Sequence, residues 1–305
     1  AMARAKYEGK SGFQVFDPLM GREAKALLRL ETDLRKAIRH DEFTPYYQPI
    51  ISLEKNCVIG FEALVRWMHP RRGMVMPGEF ISLAEENGLI MPIGISILKQ
   101  ACIQLKEWSD RFGTHRELSM SVNISGVQLM QPEFHKQVAE VINDTGLSPK
   151  SLKLEITESV VMENAETATS ILAELKHLGL ELAIDDFGTG YSSLSYLHRL
   201  PVDILKIDRS FISAEASTEN MDIPGTIITL AHHLGMRVVA EGIENTDQAC
   251  KLRSMACEYG QGYLYSKPLP PLEAEALLED PLPNLAQGQD TSSCEPPFAE
   301  ALAED

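Results

Sequence analysis

From residue 44 onward the chain alternates between short apolar runs of β character and longer stretches whose apolar residues recur at the helical period. Residues 45–53 and 57–67 read as two strands joined by the polar turn Glu54-Lys55-Asn56. A link that short forces an antiparallel pair. Helices are expected at about 78–88 and 92–111. Strand–helix units then follow over 117–145, 151–178, 181–197, 202–235 and 236–254, with a last strand at about 258–265. Pro268, Pro270 and Pro271 break the pattern, and a short helix is expected at about 272–279. Strands alternating with helices predict an α/β fold with a parallel sheet, here a (β/α) barrel that opens irregularly on a hairpin.

The flanks differ. Residues 21–40 predict an amphipathic helix with Leu27, Leu30, Leu34 and Ile38 on one stripe. Such a stripe fits a helix packed on the barrel. The seven-residue spacing of Leu27 and Leu34 equally suits a connector or dimer helix. Residues 1–6 read as a helix end and 12–16 as a short strand, neither with a partner of its own. Residues 281–305 hold five acids, no Lys or Arg, and no period, and are expected to be a disordered acidic tail.

The 305 residues suit one barrel of roughly 250 residues plus flanks. A formal charge of −16 argues against a DNA or RNA polymer as partner, while leaving room for a small phosphorylated ligand. No run approaches the ~20 apolar residues of a membrane helix. Cys57, Cys102, Cys250, Cys257 and Cys294 form no Cys-x-x-Cys pair. They read as reduced thiols of a cytoplasmic protein, with no zinc site expected.

Seven polar or charged residues stand at the ends of the β-like runs: Glu62, Asn123, Glu155, Asp185, Asp186, Lys206 and Glu241. Any one acid there could cap the next helix. Together, at one end of successive barrel strands, they converge on the face that carries active sites. Carboxylates so crowded repel unless cations lie among them, and an all-oxygen set suits magnesium, manganese or calcium. Adjacent Asp185-Asp186 could bridge two ions roughly 4 Å apart, or Asp186 could instead cap the following turn. Gly188 and Gly190 in Asp186-Phe187-Gly188-Thr189-Gly190 allow a tight turn. Asp-Phe-Gly also occurs in protein kinases, but no kinase Gly-rich loop or His-Arg-Asp accompanies it. Lys206, flanked by apolar residues, is either a structural ion-pair partner or a group that holds water or phosphate. Arg66 and Gln48 are candidates for phosphate or base contact. No His pairs with Ser or Cys as a hydrolase triad requires.

At these residues the chain resembles the EAL family of cyclic-di-GMP phosphodiesterases. The resemblance rests on Tyr47-Gln48-Pro49, Glu62-Ala63-Leu64-Val65-Arg66-Trp67, Asn123-Ile124-Ser125, Glu155-Ile156-Thr157-Glu158, Asp185 to Gly190, Lys206-Ile207-Asp208, Glu241-Gly242-Ile243-Glu244 and Gln261-Gly262-Tyr263, in that order over residues 41–272. Val65 and Tyr265 depart conservatively from the commoner Ala or Leu and Phe. The resemblance implies a modified TIM (β/α)8 barrel with an antiparallel first strand. It implies hydrolysis of cyclic-di-GMP to linear pGpG with two Mg2+ or Mn2+ ions. Glu62, Asn123, Glu155 and Asp185 would hold one ion, and Asp185, Asp186 and Glu241 the second. Lys206 and Glu241 would position and deprotonate the water, with Glu62 counted in the catalytic set. Gln48, Arg66 and Gln261 would contact substrate. Glu158 would pin the loop after Asp186, which the family links to regulation and dimerisation, so a homodimer is an expectation. Some relatives have lost these residues and act as non-catalytic receptors, the alternative reading. Residues 1–20 resemble the end of a GGDEF domain. The chain then reads as a piece of a GGDEF–EAL tandem, with 21–40 the connector helix and 41–280 the barrel.

Overall fold

The computed structural model describes residues 18–112, 117–189, 197–213 and 223–279. The proposed GGDEF remnant up to residue 17, Gly190 of the Asp186 loop and the acidic tail lie outside the described residues.

Nine strands form one sheet: β1 Phe43–Ser52, β2 Cys57–His69, β3 Gly73–Val75, β4 Ser119–Asn123, β5 Leu152–Thr157, β6 Glu181–Phe187, β7 Ile204–Ile207, β8 Arg237–Ala240 and β9 Tyr259–Gly260. The order β1-β9-β8-β7-β6-β5-β4-β2 closes on itself through the β1–β2 pairing, making an eight-stranded barrel. The expected antiparallel entry is present, since β1 runs antiparallel to both β2 and β9, and the pairs from β2–β4 round to β8–β9 are parallel. Helices Ile90–Phe112, Phe134–Thr145, Ala165–His177, Ile223–His233 and Thr246–Ser254 follow strands in the barrel rhythm.

The outer core lies between sheet and helices. Trp108 is fully buried, its ring centroid 4.8 Å from Phe61 and 5.0 Å from Tyr47. Its Nε1 donates to Glu275 of the C-terminal helix Pro271–Glu279 at 3.1 Å, fastening that helix to the barrel. Inside the barrel a small apolar plug forms from Ile50, Ala183, Ile204 and Val239. Ala183 and Ile204 stand two positions before Asp185 and Lys206 on their strands, and Val239 two positions before Glu241, the residue that follows β8. Period-two alternation therefore puts the three polar residues on the interior face, directly above the plug.

Three expectations need correction. Glu62 does not end a strand: β2 continues beyond the barrel for seven residues and pairs with the unpredicted β3, Trp67 opposite Val75. The last strand is not 258–265 but only Tyr259–Gly260, because the following segment bonds to the turn after β8 instead. Ile243 N donates to the Gln261 carbonyl, Leu264 N donates to that of Ile243, and a Cβ on Gly262 would lie 2.1 Å from the Ile243 oxygen. The helix expected at 78–88 is a 3₁₀ turn, Pro77–Glu79, followed by Ile81–Glu86. The N-terminal helix spans Pro18–Arg39; Leu34 and Ala37 are fully buried, Leu30 and Ile38 partly so, and Leu27 is exposed. Its second half thus packs on the domain.

Candidate active site

The strand registers bring the expected residues together at one end of the barrel interior. Gln48 lies opposite Glu62, Glu62 opposite Ser121, Asn123 opposite Glu155, and Thr157 opposite Asp185. Laterally paired residues share a face, so these side chains all point inward. Asp185-Asp186 needs a further device, because neighbours on a strand point to opposite faces. The β6–β7 register slips between Ile184 and Phe187, placing one extra residue there, and Asp186 adopts φ 54°. This bulge turns the second aspartate back toward the first. Carboxylate oxygens of Asp185, Asp186 and Glu241 consequently lie within 4.8 Å of one another.

Lys206 sits at the centre, 1% exposed. Its Nζ lies 2.5 Å from Glu155, 2.6 Å from Glu241, 3.2 Å from Asp185 and 3.3 Å from Glu62. Burial opposes its charge, but these four carboxylates hold its pKa well above the ordinary lysine value. Glu62 is clamped on both oxygens, by Asn123 Nδ2 at 2.5 Å and by Gln261 Nε2 at 2.7 Å. Burial resists its ionisation, yet Lys206 and the two amides outweigh that and keep its carboxyl below the usual range. Glu155 is driven upward by burial and by the neighbouring Glu62 and Asp185, despite Lys206. Burial raises Glu241 to about 7, with Asp185 and Glu62 adding to the rise and Lys206 opposing it. Asp186 is raised by burial, then by Asp185 and Asp208.

The remaining predicted residues form the rim. Gln48 is buried, accepting from Gln261 Nε2 at 3.0 Å and donating to the Ser266 carbonyl at 3.1 Å. Arg66 follows Glu62 by four positions on the same face of β2. It is buried, donates to the Val65 carbonyl at 2.8 Å, and has no carboxylate partner among the described residues. Its guanidinium lies 5.7 Å from the Tyr46 ring centroid, and Tyr263, 62% exposed, lies in its neighbourhood. Sequence reasoning passes over Tyr46 and Tyr263 as individuals. Alternation from Gln48 is the signal for Tyr46, and an aromatic two residues after Gln261 is the signal for Tyr263. Glu158 opens the helix Glu158–Glu163, is 2% exposed, and accepts from Gly188 N at 2.9 Å in the turn after Asp186.

The donor set fits divalent cations. Every candidate ligand is an oxygen, as hard cations require. Five carboxylates face one ammonium, and two divalent ions would balance the four charges left over.

The EAL domain profile matches residues 31–268. The cyclic di-GMP phosphodiesterase NbdA of Pseudomonas aeruginosa is 41% identical over 279 residues, 91% of this chain and 35% of that protein. MucR of the same organism, a bifunctional diguanylate cyclase and cyclic di-GMP phosphodiesterase, is 40% identical over 91% of this chain and 40% of its own length. A solved structure of the PaMucR phosphodiesterase in complex with c-di-GMP superposes with a TM-score of 0.77 at 39% identity, covering 81% of this chain and 99% of that one. The chain belongs to the EAL domain family. It spans little more than a third of the length of these two curated relatives.

Proposed function

We propose that this domain hydrolyses cyclic-di-GMP to linear pGpG using two Mg2+ or Mn2+ ions. The observation that carries the reading is the uncompensated acid cage: Glu62, Glu155, Asp185, Asp186 and Glu241, with Asn123, around a single buried ammonium at the barrel mouth. Relatives and structural neighbours described as acting on or binding the same dinucleotide support it.

Bound between these residues, the ions would polarise the scissile phosphate and acidify a water. Lys206 would donate a hydrogen bond to that water once the cations take over part of its carboxylate contacts. Glu241 would take its proton. The water oxygen bonds to phosphorus as the P–O3′ bond breaks in line. The leaving 3′ oxygen then takes a proton from solvent, giving a 3′-hydroxyl and one 5′-phosphate terminus. Arg66, with no carboxylate partner among the described residues, would offer its guanidinium to the second phosphate. Gln48 and Gln261 contact the dinucleotide at the rim while Gln261 holds Glu62. Glu158 holds the turn after Asp186 through Gly188 N.

Among the described residues no helix is long and apolar enough to cross a membrane. Free Cys57, Cys102 and Cys257 support a cytoplasmic setting. The helix Pro18–Arg39 is read as the connector to a preceding GGDEF domain, and a homodimer through the loop after Asp186 belongs to the same reading.

The test is incubation with cyclic-di-GMP and Mg2+, following pGpG by chromatography. Turnover is expected with Mg2+ or Mn2+, none in EDTA, and inhibition by Ca2+, whose larger coordination shell misplaces the water. Tight binding without turnover would make the domain a receptor, and full activity in EDTA would end the metal mechanism.

A further inference from the structure

Of the candidate ligands, Asn123 is the exposed one, and it is the last residue of β4. Its position therefore depends on the turn that follows. Ile124 N donates to the Glu155 carbonyl at 2.8 Å. The chain then enters the one-turn helix Gly126–Leu129, whose capping box is reciprocal. Ser125 Oγ accepts from Gln128 N at 3.3 Å, and Gln128 Oε1 accepts from Ser125 N at 3.2 Å.

Gln128 is 2% exposed, and its Nε2 has no acceptor among the described residues. The carboxamide lies against Gly94 of the helix Ile90–Phe112. A Cβ there would stand 2.1 Å from Nε2 and 2.6 Å from Cδ. Glycine is disfavoured inside a helix, so its presence marks a close approach. On the other side, a Cβ at Gly126 would stand 2.9 Å from Val160 Cγ2, on the helix that Glu158 opens. The turn after Asn123 is thus gripped between two helices. A buried amide donor without an acceptor is unfavourable, and an apolar side chain would avoid it. What glutamine adds is the acceptor for Ser125 N and a flat group that fits the glycine notch.

We infer that Gln128, seated against Gly94, is a positioning residue for Asn123, setting the turn that aims the Asn123 amide at Glu62. The inference rests on the metal-dependent reading of the site. Its consequence is that a methyl group on a helix remote from the ligands weakens metal binding.

The experiment compares Gly94→Ala, Gln128→Ala and the double variant, by calorimetric titration of Mn2+ into metal-free protein and by kcat and KM for cyclic-di-GMP. Gly94→Ala should weaken Mn2+ binding and lower kcat by on the order of tenfold or more with KM little changed, although alanine is the better helix former. Gln128→Ala should move the same quantities in the same direction. The double variant should be no worse than Gln128→Ala, because no carboxamide remains to collide. If Gln128→Ala does not fold, Gln128→Ser takes its place. Wild-type Mn2+ binding and kcat in Gly94→Ala, even with a changed melting temperature, overturn the inference alone. So does a double variant whose losses multiply. A wild type that binds no Mn2+ overturns the functional reading with it.

Discussion

The two ends of the barrel interior carry charge clusters of different kinds. Toward the strand N-termini, buried Lys153 lies 3.8 Å from Glu181, which also meets Arg237 at 2.6 Å. Lys153 Nζ stands 5.7 Å from the Tyr259 ring centroid, and on the outer side of the same end Asp203 binds Lys176 at 2.8 Å and the Leu182 amide at 2.8 Å. Each acid there has a cation of its own. Burial lowers the Lys153 pKa and Arg237 lowers it further, against the pull of Glu181. Toward the C-termini, one ammonium serves four carboxylates and Asp186 stands beside them. In the first cluster every acid is paired within the polypeptide. The second is short of positive charge, and that deficit is what a metal-dependent site needs.

Substitutions at the two ends should separate these roles most sharply. Glu62→Ala, Asn123→Ala, Glu155→Ala and Asp185→Ala should each lower turnover by about 10²–10³-fold or more, while metal-free thermal melts stay near wild type. Lys153→Met should leave kcat unchanged and leave stability equal to wild type or slightly higher, since burial already opposes the Lys153 charge and Glu181 keeps Arg237. Paired kinetic assays and melts decide it. A Lys153→Met enzyme as crippled as the ligand variants would erase the distinction.

Glu158→Ala should have a smaller effect, roughly 10- to 100-fold on kcat, because it acts through the turn at Gly188 and not on the reacting atoms. Weaker Mg2+ affinity and faster amide exchange at residues 187–189 should accompany it. Unaltered kinetics would leave Glu158 a merely structural cap.

The smallest effect concerns pH. Glu241 titrates at about 7 in the folded protein against an ordinary 4.5, so in that window the metal-free native state binds more protons than the unfolded chain. Its contribution to stability is therefore lost as pH rises from about 4.5 toward 7. Cations reverse the penalty by neutralising the ionised carboxylates. The rise in melting temperature on adding Mg2+ should therefore be greater at pH 8 than at pH 6, and an equal shift at both would show that the acid cage does not bind the ion.

Much of the site is legible in the amino-acid sequence, because barrel geometry converts chain position into spatial position. Asn123, Glu155, Asp185 and Lys206 sit on successive strands and Glu241 directly follows the next, and the strand pairing carries them to one place. Glu62 is singled out for a partly wrong reason. The apolar run before it marks the barrel segment of β2, while the strand itself runs on to His69 because β1 and β3 supply partners there. The bulge at Asp185-Asp186 is hidden, since an extra residue in one strand shows only against its neighbour. Gln128 and Gly94 are invisible for a related reason: they are far apart in the chain, and neither carries a local signal of the other.

By itself the sequence determined which residues are apolar, where turns break the strands, and which oxygen-bearing side chains stand at successive strand ends. Those are properties of local period and residue chemistry, written into neighbouring positions. Only the tertiary structure decided that Lys206 touches four carboxylates, that Asn123 and Gln261 clamp Glu62, that Asp186 turns back at φ 54°, and that each acid at the opposite end of the barrel is paired with a cation. Those facts depend on closure of the sheet and on the stagger between strands. Closure and stagger arise from long-range pairing, to which no single segment of the chain commits in advance.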